Sequence, residues 1–71
     1  MTKTTFIRVR YVVRDMRKGD MAYRRHFSPK EWPVASDLYD ALAQDPVVIR
    51  VSMVMYMGPH DSVLLSDFGK P

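Results

Sequence analysis

The chain has 71 residues, no cysteine, 46% apolar residues and a formal net charge of +3. That length admits a single small domain over residues 1–71 with one core. The absence of cysteine excludes disulfides and thiolate metal sites, so stability must come from the core, or from the core together with an oligomer or a partner.

Charge is divided unevenly along the chain. Residues 1–30 carry nine Lys or Arg against two Asp (+7), and residues 31–71 carry two against six acidic residues (−4). Such asymmetry suits steering toward an acidic partner. The first six residues lack the apolar run of a signal peptide. The longest apolar stretches, 47–49 and 53–57, are too short to span a bilayer, so a cytoplasmic location without membrane contact is expected.

Residues 5–14 alternate with period two, setting Ile7, Val9, Tyr11 and Val13 against Arg8, Arg10, Val12 and Arg14, as in a half-buried strand. Residues 16–20 follow as a turn, where Gly19 can adopt the positive φ of a tight hairpin. Residues 21–27 alternate again, with Met21, Tyr23 and Phe27 toward a core and Ala22, Arg24 and His26 away from it. Arg25 breaks this pattern, and its side chain must lie at a sheet edge or extend its stem over apolar surface.

Ser28-Pro29-Lys30-Glu31 has the form of a helix start, with Ser as N-cap, Pro at the first position and Glu three residues on. Pro33 interrupts that ladder, so a short turn followed by a main helix over 33–44 is predicted. Val34, Leu38, Ala41 and Leu42 form its apolar stripe, with Ala35 and Tyr39 alongside. Asp45-Pro46 ends it. Residues 47–57 read as the strongest strand, with Val47, Ile49, Val51, Met53, Met55 and Met57 on one face and Val48, Arg50, Ser52, Val54 and Tyr56 on the other. After a turn at 58–61, residues 62–66 are a possible short fourth strand and 67–71 a flexible tail. The expected fold class is α+β, a β-β-α-β domain with an antiparallel three-stranded sheet and one helix packed on one face.

One helix leaves the second sheet face uncovered. That face is expected to carry Arg8, Arg10, Arg14, Arg24, His26 and Arg50, with Val12, Val48, Val54 and Tyr56 among them. Arg17 and Lys18 extend the charge to the hairpin tip. A solvent-facing side of an antiparallel sheet needs no ligand. Its arginine content is what points to a binding surface, because guanidinium pairs with carboxylate or phosphate through two hydrogen bonds and stacks on rings. Met53, Met55 and Met57 are assigned to core packing, and Trp32 to holding the helix start against the sheet.

Catalytic sets are missing from the sequence. His26, between two basic residues, suits a phosphate backbone but has no candidate orienting carboxylate. His60-Asp61 lies in a turn without a third metal ligand. Asp37 and Asp40 are favourable charge in the first half of the helix rather than an acid/base pair. No glycine-rich phosphate loop or nucleophile elbow occurs. Small tautomerases use a proline after Met removal, where this chain has Thr2. Arg24-Arg25-His26 loosely resembles the basic histidine sheets of small ribonuclease toxins, but no second acid or base accompanies it. A non-enzymatic protein with no cofactor, no metal and no small-molecule substrate is therefore expected.

In size, charge split and β-β-α-β order, the chain resembles the small phage-encoded regulators that bind host RNA polymerase or other host complexes. The resemblance spans the chain but is architectural, with no motif, so no residue is carried over from that family. It implies regulation of transcription, or inhibition of a host process, by occupying a contact surface in the host cytoplasm. The alternative is direct nucleic-acid binding, with the same arginines on phosphates and Tyr56 or Tyr11 as a stacking face. Against it stand the acidic C-terminal part and the absence of an RNA-recognition aromatic pair or a recognition helix, since the one helix bears aspartates outward.

Overall fold

A computed structural model describes residues 5–69. The elements run β1 (Phe6–Val13), β2 (Met21–Phe27), a single 3-10 turn (Pro29–Glu31), α1 (Trp32–Gln44), β3 (Val48–Tyr56) and β4 (Ser62–Gly69). The four strands form one antiparallel sheet in the order β2-β1-β3-β4. Consecutive strands pair as hairpins at both ends of the chain, while α1 carries the chain across β1 from one edge to the centre. The predicted α+β class therefore stands, with the fourth strand a full member of the sheet.

The β1–β2 connection is held by Asp15. Its Oδ1 accepts from the amides of Arg17 at 2.8 Å and Lys18 at 3.1 Å, and its carbonyl accepts from Gly19 N–H at 2.9 Å. Gly19 closes the turn at φ 79°, a left-handed conformation that a Cβ would strain. At the helix start, Glu31 Oε1 accepts from both the amide and the hydroxyl of Ser28, at 3.0 and 3.1 Å. This is the side-chain return predicted from the Ser-x-x-Glu spacing. At the other end, Asp45 Oδ1 accepts from Val47 N–H at 3.0 Å, folding the chain back into β3 past Pro46.

Ile7, Val9, Phe27, Ala35, Val48, Val51 and Met53 are the buried core, and Tyr11, Val13, Leu38, Tyr39, Leu42, Ala43, Met55 and Leu65 pack around them. The inward stripe of α1 is thus Ala35, Leu38, Tyr39, Leu42 and Ala43. Val34 is 54% exposed and Ala41 is also on the surface, so the predicted stripe is rotated by about one residue. Tyr39 explains the rotation, because its hydroxyl accepts from Ser66 Oγ at 2.8 Å and ties the helix to β4. Leu38→Ala is expected to lower stability by about 2 kcal/mol, the low end for a leucine truncation because the side chain is only partly buried. Urea denaturation would read this as a lower midpoint with an unchanged slope. An unaltered midpoint would mean that α1 contributes nothing to the core.

Two irregularities change which residues face inward. Val12 pairs with Arg50 but Val13 pairs with Val48, leaving Ile49 as an extra residue in β3. The bulge reverses the alternation, so Val48 turns into the core at 2% exposure instead of joining the uncovered face as predicted. Val47 and Met57 lie outside β3 and are exposed. In β4, Leu65 is the extra residue between Leu64, opposite Val54, and Ser66, opposite Met53. That bulge keeps Leu65 against the core. Residues 67–69, assigned to a tail from the sequence, belong to β4, where Phe68 pairs with Val51. Lys70 and Pro71, the rest of that tail, lie outside the described residues.

The helix lies mainly over the central strands β1 and β3. Met21 and Tyr23 therefore stay exposed on the helix side, although the predicted alternation put them in the core. Tyr23 instead stacks on Tyr11 across the strand pair, with centroids 5.5 Å apart. Arg25 sits opposite Val9 on the same side, with its guanidinium 5.9 Å from the Phe27 ring centre, an edge position that lets its charge reach water. Trp32 begins α1 and remains 40% exposed. No helix among the described residues is long and apolar enough to cross a membrane.

Candidate binding surface

The register fixes the uncovered face. Ile7 and Val9 point to α1, so Phe6, Arg8, Arg10 and Val12 of β1 point away from it. Beside them lie His26 opposite Arg8, Arg24 opposite Arg10 and Ala22 opposite Val12 on β2. On β3, Tyr56 lies opposite Phe6, Val54 opposite Arg8, Ser52 opposite Arg10 and Arg50 opposite Val12. β4 adds Leu64 and Asp67, opposite Val54 and Ser52.

One end of this face is an aromatic and hydrogen-bonded cluster. Phe6 and Tyr56 stack with centroids 4.9 Å apart and planes 15° from parallel, and His26 meets Phe6 edge-on at 5.3 Å. Arg8 is held between them. Its Nε donates to His26 Nε2 at 3.0 Å, one terminal nitrogen donates to Tyr56 Oη at 3.2 Å, and the guanidinium lies 4.8 Å from the Tyr56 ring centre. Arginine has no acceptor, so His26 Nε2 is the acceptor in this contact.

The middle of the face is charged and unpaired. Arg10 and Arg24 lie directly opposite one another, a like-charge cross-strand pair that disfavours the sheet. Among the described residues the only carboxylate on the face is Asp67, and it pairs with Arg50 at 3.3 Å. Two shallow depressions flank Arg10. One of about 270 Å³ is lined by Arg10, Val12, Arg50 and Ser52, and one of about 430 Å³ by Arg8, Arg10, Ala22, Tyr23 and Arg24. Ala22 is the reason for the second hollow, since a larger side chain there would fill it. Both are open to solvent and suit contact with another surface better than enclosure of a small molecule.

Of the residues singled out from the sequence, Arg8, Arg10, Arg24, His26, Arg50 and Tyr56 are brought together on this face. Arg17 and Lys18 are not, and the strand register does not extend to Arg14. Arg14 lies past the end of β1, its amide bonded to Val47 O at 2.8 Å, and Arg17 and Lys18 project from the hairpin turn. Tyr11, considered as a stacking residue, is on the opposite face beneath α1's side of the sheet, packed on Tyr23. Phe6 and Asp67 were missed. Phe6 was legible as the residue two before Arg8 in the same alternation, whereas Asp67 needed the β4 register. No group of three or more metal-capable side chains occurs among the described residues.

Compared with known proteins, the chain matches no family model, and no curated protein or solved structure is significantly similar to it.

Proposed function

We propose that this chain is a non-enzymatic regulator that docks its arginine-bearing sheet face on an acidic surface of a larger protein assembly and changes the activity of that assembly. The observation that carries this reading is Arg10 opposite Arg24, two arginines at directly paired positions with no carboxylate on the open faces of β1 and β2 among the described residues. A sheet gains nothing from that pair by itself, and an anionic partner would neutralise it. The architectural resemblance to phage regulators favours the host transcription apparatus, RNA polymerase, as the partner, encountered in the host cytoplasm.

Direct nucleic-acid binding is the second reading, favoured by the Phe6–Tyr56 ring pair on adjacent central strands beside the arginines. It is the weaker of the two because Tyr56 already stacks on Phe6 and carries Arg8 over its ring, so a base would have to displace contacts the fold has made. Affinity capture from host lysate, with and without nuclease and at low and moderate salt, separates the two readings. The expected result is a defined protein complex that survives both treatments and is lost with Arg24→Glu. Loss of every partner on nuclease digestion, together with oligonucleotide binding that weakens steeply with salt, would replace protein docking by nucleic-acid binding.

A further inference from the structure

The side chains Arg8, Arg10, Arg24 and His26 occupy a two-by-two block on neighbouring strands, Arg8 opposite His26 and Arg10 opposite Arg24. Three of them are permanent cations. The fourth is an imidazole whose Nε2 accepts from Arg8 Nε at 3.0 Å. We infer that this block is an oxyanion seat whose affinity is set by protonation of His26, stronger in acid than in base. The inference rests on the reading of the open face as a binding surface, where the partner's carboxylates would supply the oxyanions.

The switch follows from the geometry. Arg8 Nε donates to the imidazole and a terminal nitrogen donates to Tyr56, so two of this guanidinium's five N–H groups are turned inward. A proton on Nε2 removes the acceptor, places a second cation 3.0 Å from Arg8 Nε and forces the two groups apart. Arg8 Nε–H then joins the guanidinium's other free donors toward the depression Arg8 lines with Arg10 and Arg24, and the imidazolium adds a charge to the block. The groups facing His26 come from three strands. Arg8 and Arg10 project from β1, Arg24 from its own strand and Tyr56 from β3, and Phe6 meets its edge. No carboxylate among the described residues of those strands' open faces offsets them, and Asp67 on β4 is held by Arg50. An oxyanion in the seat is therefore the group that would favour the imidazolium, and by linkage the imidazolium favours the oxyanion.

Sulfate tests this directly, because it keeps its charge over the range in which histidine titrates. Amide chemical shifts of the full chain would be followed during sulfate titration at about pH 8 and about pH 5.5, with chloride matching the ionic strength. The expected result is saturable shifts confined to Arg8, Arg10, Arg24 and His26, with sulfate bound about three- to tenfold more tightly at the lower pH. His26→Gln offers Arg8 a carbonyl acceptor that cannot be protonated, so it should bind sulfate equally at both pH values. Arg24→Gln should lose the saturable shifts while keeping the Arg8–His26 contact. Equal pH dependence in His26→Gln, or wild-type shifts that do not saturate, would overturn the inference. Failure here with capture of a nuclease-resistant complex intact would leave the docking surface standing without this seat. A pH-dependent seat with no captured complex would do the reverse.

Discussion

Ile7→Ala is expected to remove about half of the protein's folding stability. Ile7 is fully buried on a central strand, paired with Phe27 of β2 on one side and Met55 of β3 on the other. Removing three carbons there leaves a cavity that rigid neighbouring strands cannot close, at a cost of about 2–5 kcal/mol. A domain of this size has about 4–10 kcal/mol of stability in total. Only seven side chains are buried among the described residues, and there is neither a disulfide nor a second helix to share the load. Circular dichroism melts would show a fall in Tm of well over about 10 °C. A Tm within a few degrees of wild type would mean that the sheet relaxes around the cavity, and that the core described above is not what limits stability.

The particular residues show what the sequence did and did not reveal. Period-two alternation placed Arg8 and Arg10 on one face and Ile7 and Val9 on the other, because a strand's side chains can only alternate and one side must bury. The Ser28–Glu31 spacing and the prolines located the turn and the helix to within a residue. What failed was whatever depended on a partner element. Val48 was assigned outward because nothing local marks Ile49 as a bulge; the register against Val12 and Val13 decides it. Val34 and Ala35 are equally apolar neighbours, and the Tyr39–Ser66 hydrogen bond selects the helix face that turns inward. β4 was read as ending at Ser66, yet the strand runs on to Gly69, with Ser66 bonded to Tyr39 and Asp67 paired with Arg50. In the candidate surface, the arginines were legible but their inequality was not. Arg50 is neutralised, Arg8 is held by His26 and Tyr56, and Arg10 and Arg24 are left facing each other.

That inequality gives the second large effect, in which stability and binding move in opposite directions. Arg24→Glu replaces a repulsive cross-strand pair by an attractive one with Arg10, so the folded state should be retained and gain about 0.2–1 kcal/mol. Binding to an acidic partner should fall by at least about 30-fold, because the substitution places a carboxylate at the centre of the surface that has to meet the partner's own. Arg10→Glu should behave alike. Lys30→Glu supplies the control: it makes the same change in net charge from the exposed 3-10 turn, outside the open sheet face. If binding depends on placement, Lys30→Glu weakens it only slightly, and the loss in Arg24→Glu persists at moderate salt. Equal weakening by both variants would reduce the surface to a general positive charge without a defined contact. Unfolding of Arg24→Glu would be the more damaging result, since it would put Arg24 on the buried side of β2 and invert the face on which the whole functional reading stands.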